Sequence, residues 1–410
     1  MFDKGRLIVD TADDTRNHGL DIARALAIAM VLMSHSIYLF SFESGVFTNR
    51  YWGFEIFGYF GVELFFVLSG FLIGGILLRL FTGDFDGLEH WKRKLVNFYL
   101  RRWFRTLPLY YAILFFNVFF WEAMSFWDFV AEGRQVSWHY IFFLQNCGIT
   151  NGLFFPESWS LAVEEWFYLL WPLVLIGSLA GSSKGGRNPQ TSVGYIIAGS
   201  VVAVVLFRLV TVMSGDVSFD QGIRKNTFLR LDSLAVGVLL AYCRMYKAAT
   251  FQRLAGRDFG LAAVLVLVAV AGWFWQVGWP GWDKSLLART LMLDIVSVSF
   301  AFIIAYLYQQ RFTRIKVFAL LSRLAYSMYL VHLPVIIYLS YWSSRLDNPL
   351  MAPVLWGVAA IVIWGICRLI YCYFEKPIMD LRPAAYPEKS GIAGGTFLPF
   401  METVNEREDK

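Results

Sequence analysis

Apolar stretches of roughly 20 residues recur along almost the whole chain, each long enough as a helix, at about 1.5 Å per residue, to cross about 30 Å of hydrocarbon. GYFGVELFFVLSGFLIGG at 58–75 is one such stretch. A segment in lipid must satisfy its own backbone polar groups, and continuous runs of this length do so as helices rather than as barrel strands. A hydrophobic fraction of 57%, a charged fraction of 16% and a mean hydropathy of +0.52 exclude a soluble domain.

The expected fold is therefore an all-α polytopic membrane protein of about ten transmembrane helices. They are placed near 20–40, 59–78, 108–122, 159–178, 194–213, 233–248, 259–278, 290–309, 323–342 and 353–374. Of the 36 Lys and Arg, three fall within spans and only eight fall in the segments that alternate as outer. The remaining 25 fall in the inner ones. This asymmetry puts both termini in the cytoplasm.

Asp3, Asp13 and Asp14 among the leading basic residues, and the lack of a small-residue cleavage site, argue against a signal peptide. The expected organisation is a cytoplasmic segment at 1–19, one transmembrane domain at 20–378 and a disordered cytoplasmic tail at 379–410, with a Gly/Ser-rich linker, GSSKGGRNPQ, at 181–190. Cys243, Cys367 and Cys372 lie in or beside apolar runs and Cys147 in a connection, so neither a disulfide framework nor a metal site is expected. The net charge of +5 reflects the inner segments and implies no nucleic-acid partner.

Ionisable residues inside a span cost roughly 2.5–3.5 kcal/mol each, so each needs an account. Arg24 and His35 are 11 positions apart on one helix face, about 16 Å along the axis, with Arg24 near the inner surface. One end suits an anion and the other a base; alternatively Arg24 snorkels beside Asp21 and His35 bonds a neighbouring helix. Glu63 falls at a depth that matches His35, where it either orients the imidazole or faces outer water. Ser69 and the surrounding glycines read as helix-packing residues.

In FYLRRWFRTLPLYY, 98–111, Arg102 and Arg105 share a face just before Pro108 opens the third span. They suit phosphates or anionic lipid heads. Glu164 and Glu165 are adjacent, so at most one faces a site. Arg230 and Asp232 read as a local surface pair, and His332 as satisfying backbone groups near Pro334. Arg368 and Glu375 share a face. Trp138, Trp159, Trp273, Trp275, Trp279 and Trp282 read as an interfacial belt.

In this order, GLDIARALAIAMVLMSH, GVELFFVLSGFLIGG, RRWFRTLPLYY, ESWSLAVEEWFYLLWP, RLDSLAVG, LAYSMYLVHLPV and FEKP resemble the membrane-bound acyltransferase 3 family. That family includes bacterial O-acetyltransferases of O-antigen, exopolysaccharide and Nod factor. The resemblance implies that Arg24 and His35 match its first-span arginine and histidine, Arg102 and Arg105 its arginine pair, and Glu63, Glu164 and Glu375 its acidic positions. Many members carry a fused outer esterase-like domain, for which these residues leave no room, so this chain is expected to complete transfer alone or to hand on its acyl group.

The resulting expectation is transfer of an acetyl or other short acyl group from acyl-CoA to a hydroxyl of a carbohydrate or glycolipid, in the bacterial inner membrane. Acetyl-CoA or another acyl-CoA is the donor substrate, and no tightly bound cofactor is expected. Arg24, Arg102 and Arg105 would hold its phosphates, and His35 would act as general base with Glu63 or Glu164 stabilising the imidazolium. The competing expectation is a proton-coupled transporter of a small anion or sugar with His35, Glu63 and Glu164 as the relay.

Overall fold

A computed structural model describes residues 16–37, 39, 52–81, 88–123, 138–148, 154–184, 188–346 and 351–385. The expected N-terminal segment before Arg16 and the tail beyond Ala385 lie outside them. The helices are α1 (His18–His35), α2 (Trp52–Phe81), α3 (Leu88–Ala123), α4 (Ser158–Lys184), α5 (Pro189–Ser214) and α6 (Leu231–Tyr246). They continue with a short α7 (Ala248–Leu254), α8 (Arg257–Lys284), α9 (Leu286–Gln309), α10 (Lys316–Leu346), α11 (Met351–Ile370) and a short α12 (Lys376–Asp380). There is no strand among the described residues.

The chain is an all-α polytopic membrane protein. Seven helices, α2, α4, α5, α8, α9, α10 and α11 with its extension, are long and apolar enough to cross a bilayer. The other three expected spans differ for physical reasons. α1 and α6 have only 18 and 16 residues and carry buried charges; they lie inside the bundle, α1 against α2 and α10, α6 against α2 and α5. Polar groups that lipid would reject are thereby surrounded by protein.

α3 is the third case. Its basic first half and apolar second half form one helix, with Pro108 inside it rather than opening it. Pro108 has no N–H to give the Phe104 carbonyl, and in the same turn the Thr106 carbonyl accepts a tertiary bond from the Tyr326 hydroxyl at 2.6 Å. α5 and α11 bury the smallest share of their apolar spans, 17% each, and α2 and α10 the largest, 67% each, so α2 and α10 form the centre of the bundle.

α8 ends its regular run at Gly278, whose φ of 58° a glycine adopts without strain. The expected tryptophan belt is only partly a belt. Trp138 and Trp275 are exposed, but Trp282 is fully buried edge-on against Tyr59, Phe219 and Phe274.

A tight seam joins α2 to α6. A Cβ on Gly70 would fall 2.0 Å from the Leu234 carbonyl oxygen, and one on Gly237 would fall 2.2 Å from that of Val67. Small residues let two backbones approach this closely. Gly237→Ala is therefore expected to destabilise the protein by about 1–3 kcal/mol. The midpoint of thermal unfolding in detergent measures this, and an unchanged midpoint would mean that the seam relaxes without cost.

Candidate functional site

Two rungs tie α1 to α10. At one end Arg24 Nη1 donates to Ser322 Oγ at 2.8 Å, and Ser322 Oγ donates to Asp21 Oδ1 at 2.7 Å. Arg16 completes this network by a two-pronged contact with the Asp21 carboxylate at 2.5 and 2.7 Å. At the other end His35 Nδ1 meets His332 Nε2 at 2.8 Å, with the rings stacked at 4.9 Å between centroids. The partners are 11 residues apart on α1 and 10 on α10, so the two helices run parallel and the rungs are about 15 Å apart.

The hydrogen bonds assign the tautomers. His332 Nδ1 lies 3.1 Å from the Met328 carbonyl, which only accepts, so Nδ1 carries the proton in His332. Its Nε2 must then accept, and His35 Nδ1–H donates to it. In a neutral imidazole the remaining lone pair sits on His35 Nε2, the nitrogen a general base uses. His35 thus bonds a neighbouring helix and His332 a local carbonyl, the non-catalytic roles that the sequence offers for each.

Between the rungs lies a cavity of about 220 Å³ bounded by α1, α2, α3, α4, α10 and the segment after α12. Six arginines line it: Arg24, Arg79, Arg101, Arg102, Arg105 and Arg382. Glu164 is the one acidic residue in its lining, and Glu165 is not part of it. Arg102 donates to the Tyr168 hydroxyl, which bonds Ser69, and its guanidinium lies 4.1 Å from the centre of that ring.

At the far end the lining is Phe65, Phe66, Ser160 and Tyr329. Tyr329 donates to the Glu157 carbonyl at 3.0 Å, bonds Ser160 at 2.6 Å and lies 5.8 Å from the His332 ring. The cavity thus runs from a basic mouth to within one side chain of the histidine pair. Its charge suits a polyanion, since guanidinium groups bind phosphate oxygens through paired, charge-assisted hydrogen bonds.

The structure brings Arg24, Arg102, Arg105 and Glu164 together at this cavity and places His35 just beyond it. Glu63 is elsewhere: it is fully buried between α2, α6 and α9, with one carboxylate oxygen on Arg230 and the other on Ser233 and Ser297 at 2.9 and 3.2 Å. The side chain paired with His35 is His332. Nor are Arg230 and Asp232 a local surface pair. Both are fully buried, and Asp232 is held by Arg208, which also donates to Asp294 at 2.9 Å.

Glu375 is buried in a π-helical turn, Tyr371–Glu375, whose wider winding breaks the shared face expected for it and Arg368. Arg105 feels its charge, while Arg368 lies over Trp364. The pairing of His332 with His35 carried one signal in the sequence, two histidines deep in different spans at matching distances from polar residues. Arg208 is marked in the sequence only as a charge within an apolar run, and its partners are not legible there because they lie at Leu229, on α6 and on α9.

Above the histidine end, the π-helical turn Phe219–Arg224 carries Arg224 against the rings of Trp159 and Trp279, at 4.9 and 5.6 Å. Burial raises the Asp220 carboxyl, but Arg224 and Lys225 outweigh it and hold the group down at about 2. The charges of Arg224 and Lys225 also reach His35. Among the described residues no three His, Cys, Asp or Glu side chains are placed to hold a metal ion.

The chain matches the acyltransferase 3 family, described as an acyltransferase domain, over residues 17–372. It is 25% identical over 410 residues to O-acetyltransferase OatA of Staphylococcus aureus (strain NCTC 8325 / PS 47), covering 94% of this chain and 61% of that protein. It is 27% identical over 388 residues to the putative peptidoglycan O-acetyltransferase YrhL of Bacillus subtilis (strain 168), covering 88% of this chain and 54% of that one. With the peptidoglycan O-acetyltransferase OatA of Listeria monocytogenes the identity is 30% over 235 residues, 54% of this chain and 33% of that protein. The chain spans about three-fifths of the length of the first of these relatives. No solved structure matches it.

Proposed function

The chain belongs to the acyltransferase 3 family, and from that premise we propose that it is a membrane O-acetyltransferase that moves an acetyl group from acetyl-CoA to a hydroxyl of a cell-envelope glycan. The relatives' names support acetylation of a carbohydrate, with peptidoglycan or its lipid-linked precursor as the first acceptor to try. The observation that carries the reading is the cavity with arginines at one end and a histidine of assigned tautomer beyond the other.

In this reading the donor's phosphates lie among Arg24, Arg102 and Arg105, and its extended arm carries the thioester past Ser69 to Tyr329. The acceptor approaches from the outer face. His35 Nε2 takes the proton of the acceptor hydroxyl as its oxygen attacks the thioester carbonyl. The tetrahedral intermediate collapses with cleavage of the C–S bond, and the departing CoA sulfur takes the proton back from His35. The products are the acetyl ester and CoA thiol. While His35 is charged, its Nδ1–H still donates to His332 Nε2, which fixes the ring and shares the charge. Glu164 beside Arg102 sets the charge of the cavity rather than contacting the imidazole.

The test is release of CoA thiol from acetyl-CoA by membranes that contain the protein, with and without a glycan-lipid extract of the host. Release that requires the extract supports acetyl transfer, and absence of release with every short acyl-CoA overturns it. Arg105→Gln is expected to raise KM for acetyl-CoA about 10- to 100-fold with a smaller change in kcat, the loss of one charge-assisted bond. Equal KM values would remove Arg105 from the donor site.

A further inference from the structure

The six arginines of the cavity stand at different depths. α2 runs from Val62 at the histidine end to Leu80 at the mouth, about 27 Å, and α3 runs the opposite way from Asn97 to Thr106. Lys94 clamps the two together at the mouth by donating to the Leu80 carbonyl at 3.0 Å. Arg79 and Arg101 therefore belong to the mouth. Arg105 is one turn further in, and Arg24 is further in beside Ser322.

Arg102 lies on α3 between Arg101 and Arg105, and the sixth arginine, Arg382, comes from beyond the family match, which ends at residue 372. After α12 the chain turns back across the mouth as a strap, residues 381–385. Arg101 Nη1 donates to the Pro383 carbonyl at 2.6 Å and Asn97 Nδ2 to the Ala384 carbonyl at 3.0 Å. Both tethers hold the strap by its backbone. What the strap adds to the lining is Arg382 and Ala385. Arg382 is half-buried there and its charge acts on Arg105. Arg382 thus adds a sixth guanidinium to the lining, at its mouth.

We infer that Arg382 binds the phosphate on the ribose of CoA, and that residues 381–385 form the outermost part of the donor site. The inference rests on the acyl-CoA reading above. With the thioester at Tyr329 and the diphosphate among Arg24, Arg102 and Arg105, the nucleotide is left at the mouth. Its third phosphate is then the donor's last anionic group and Arg382 the arginine carried by the strap itself. A planar guanidinium on an anchored segment suits such a terminal phosphate through two parallel hydrogen bonds.

The experiment compares the Kd of CoA with that of dephospho-CoA, which lacks only this phosphate, for the full-length protein in nanodiscs of uncharged lipid. Wild type is expected to prefer CoA by about tenfold, the scale of one charge-assisted contact. Arg382→Gln should lose that preference by weakening CoA alone, and Arg382→Lys should keep part of it. If Arg382→Gln weakens both ligands equally, the strap is only structural; if it weakens neither, Arg382 is not in the site. Either result overturns the inference and leaves the donor reading standing. If wild type binds CoA without preference, the mouth serves another phosphate, such as a lipid headgroup, and the inference fails. If wild type binds neither ligand, the inference and the donor reading fall together.

Discussion

His35→Ala is expected to lower acetyl transfer by about 10²- to 10⁴-fold, the range that a positioned general base contributes, while the protein still folds and still binds CoA. The expectation follows from the hydrogen-bond chain Met328–His332–His35, which puts the lone pair of neutral His35 on Nε2. His332→Ala removes the support and keeps the base, so its loss should be smaller than that of His35→Ala. CoA thiol release in the presence of acceptor measures both. Undiminished release by His35→Ala would eliminate this mechanism, and equal losses would make the two histidines a single functional unit.

Glu63→Leu is expected to cost about 3–5 kcal/mol of stability, because it strands a fully buried guanidinium. Arg230 Nε and Nη1 have no hydrogen-bond partner among the described residues, so the Glu63 carboxylate is the main compensation for that charge. The Phe66 ring 5.3 Å from the guanidinium carbon adds less. The double variant Glu63→Leu/Arg230→Met should recover most of the loss, since replacing a buried ion pair by apolar side chains of similar volume is often neutral. Thermal unfolding and folded yield in detergent measure this. A Glu63→Leu protein of normal stability that has lost transfer would instead place Glu63 in the chemistry.

The two variants separate roles that matching depth made indistinguishable. Position along a helix axis follows from counting residues, which puts His35 and Glu63 at one depth. Azimuth between helices does not follow. α2 turns Glu63 towards α6 and α9, where Arg230, Ser233 and Ser297 meet it, while α1 turns His35 towards α10.

What the sequence alone determined is the class of fold and one line of polar residues. Hydrocarbon admits only backbone that bonds to itself, so apolar runs of bilayer length imply helices. The 3.6-residue period puts Arg24 and His35 on one face, whatever surrounds them. The same period puts Asp21 beside Arg24, 3.9 Å away, and tertiary structure decided the partners on other helices. His332 joined His35, Arg208 bridged Asp232 and Asp294, Glu164 rather than Glu165 lined the cavity, and the strap carried Arg382 to its mouth. A buried charge in a low-dielectric interior must find its complement, but the complement sits on helices tens to hundreds of residues away, and only packing selects which of them comes within reach.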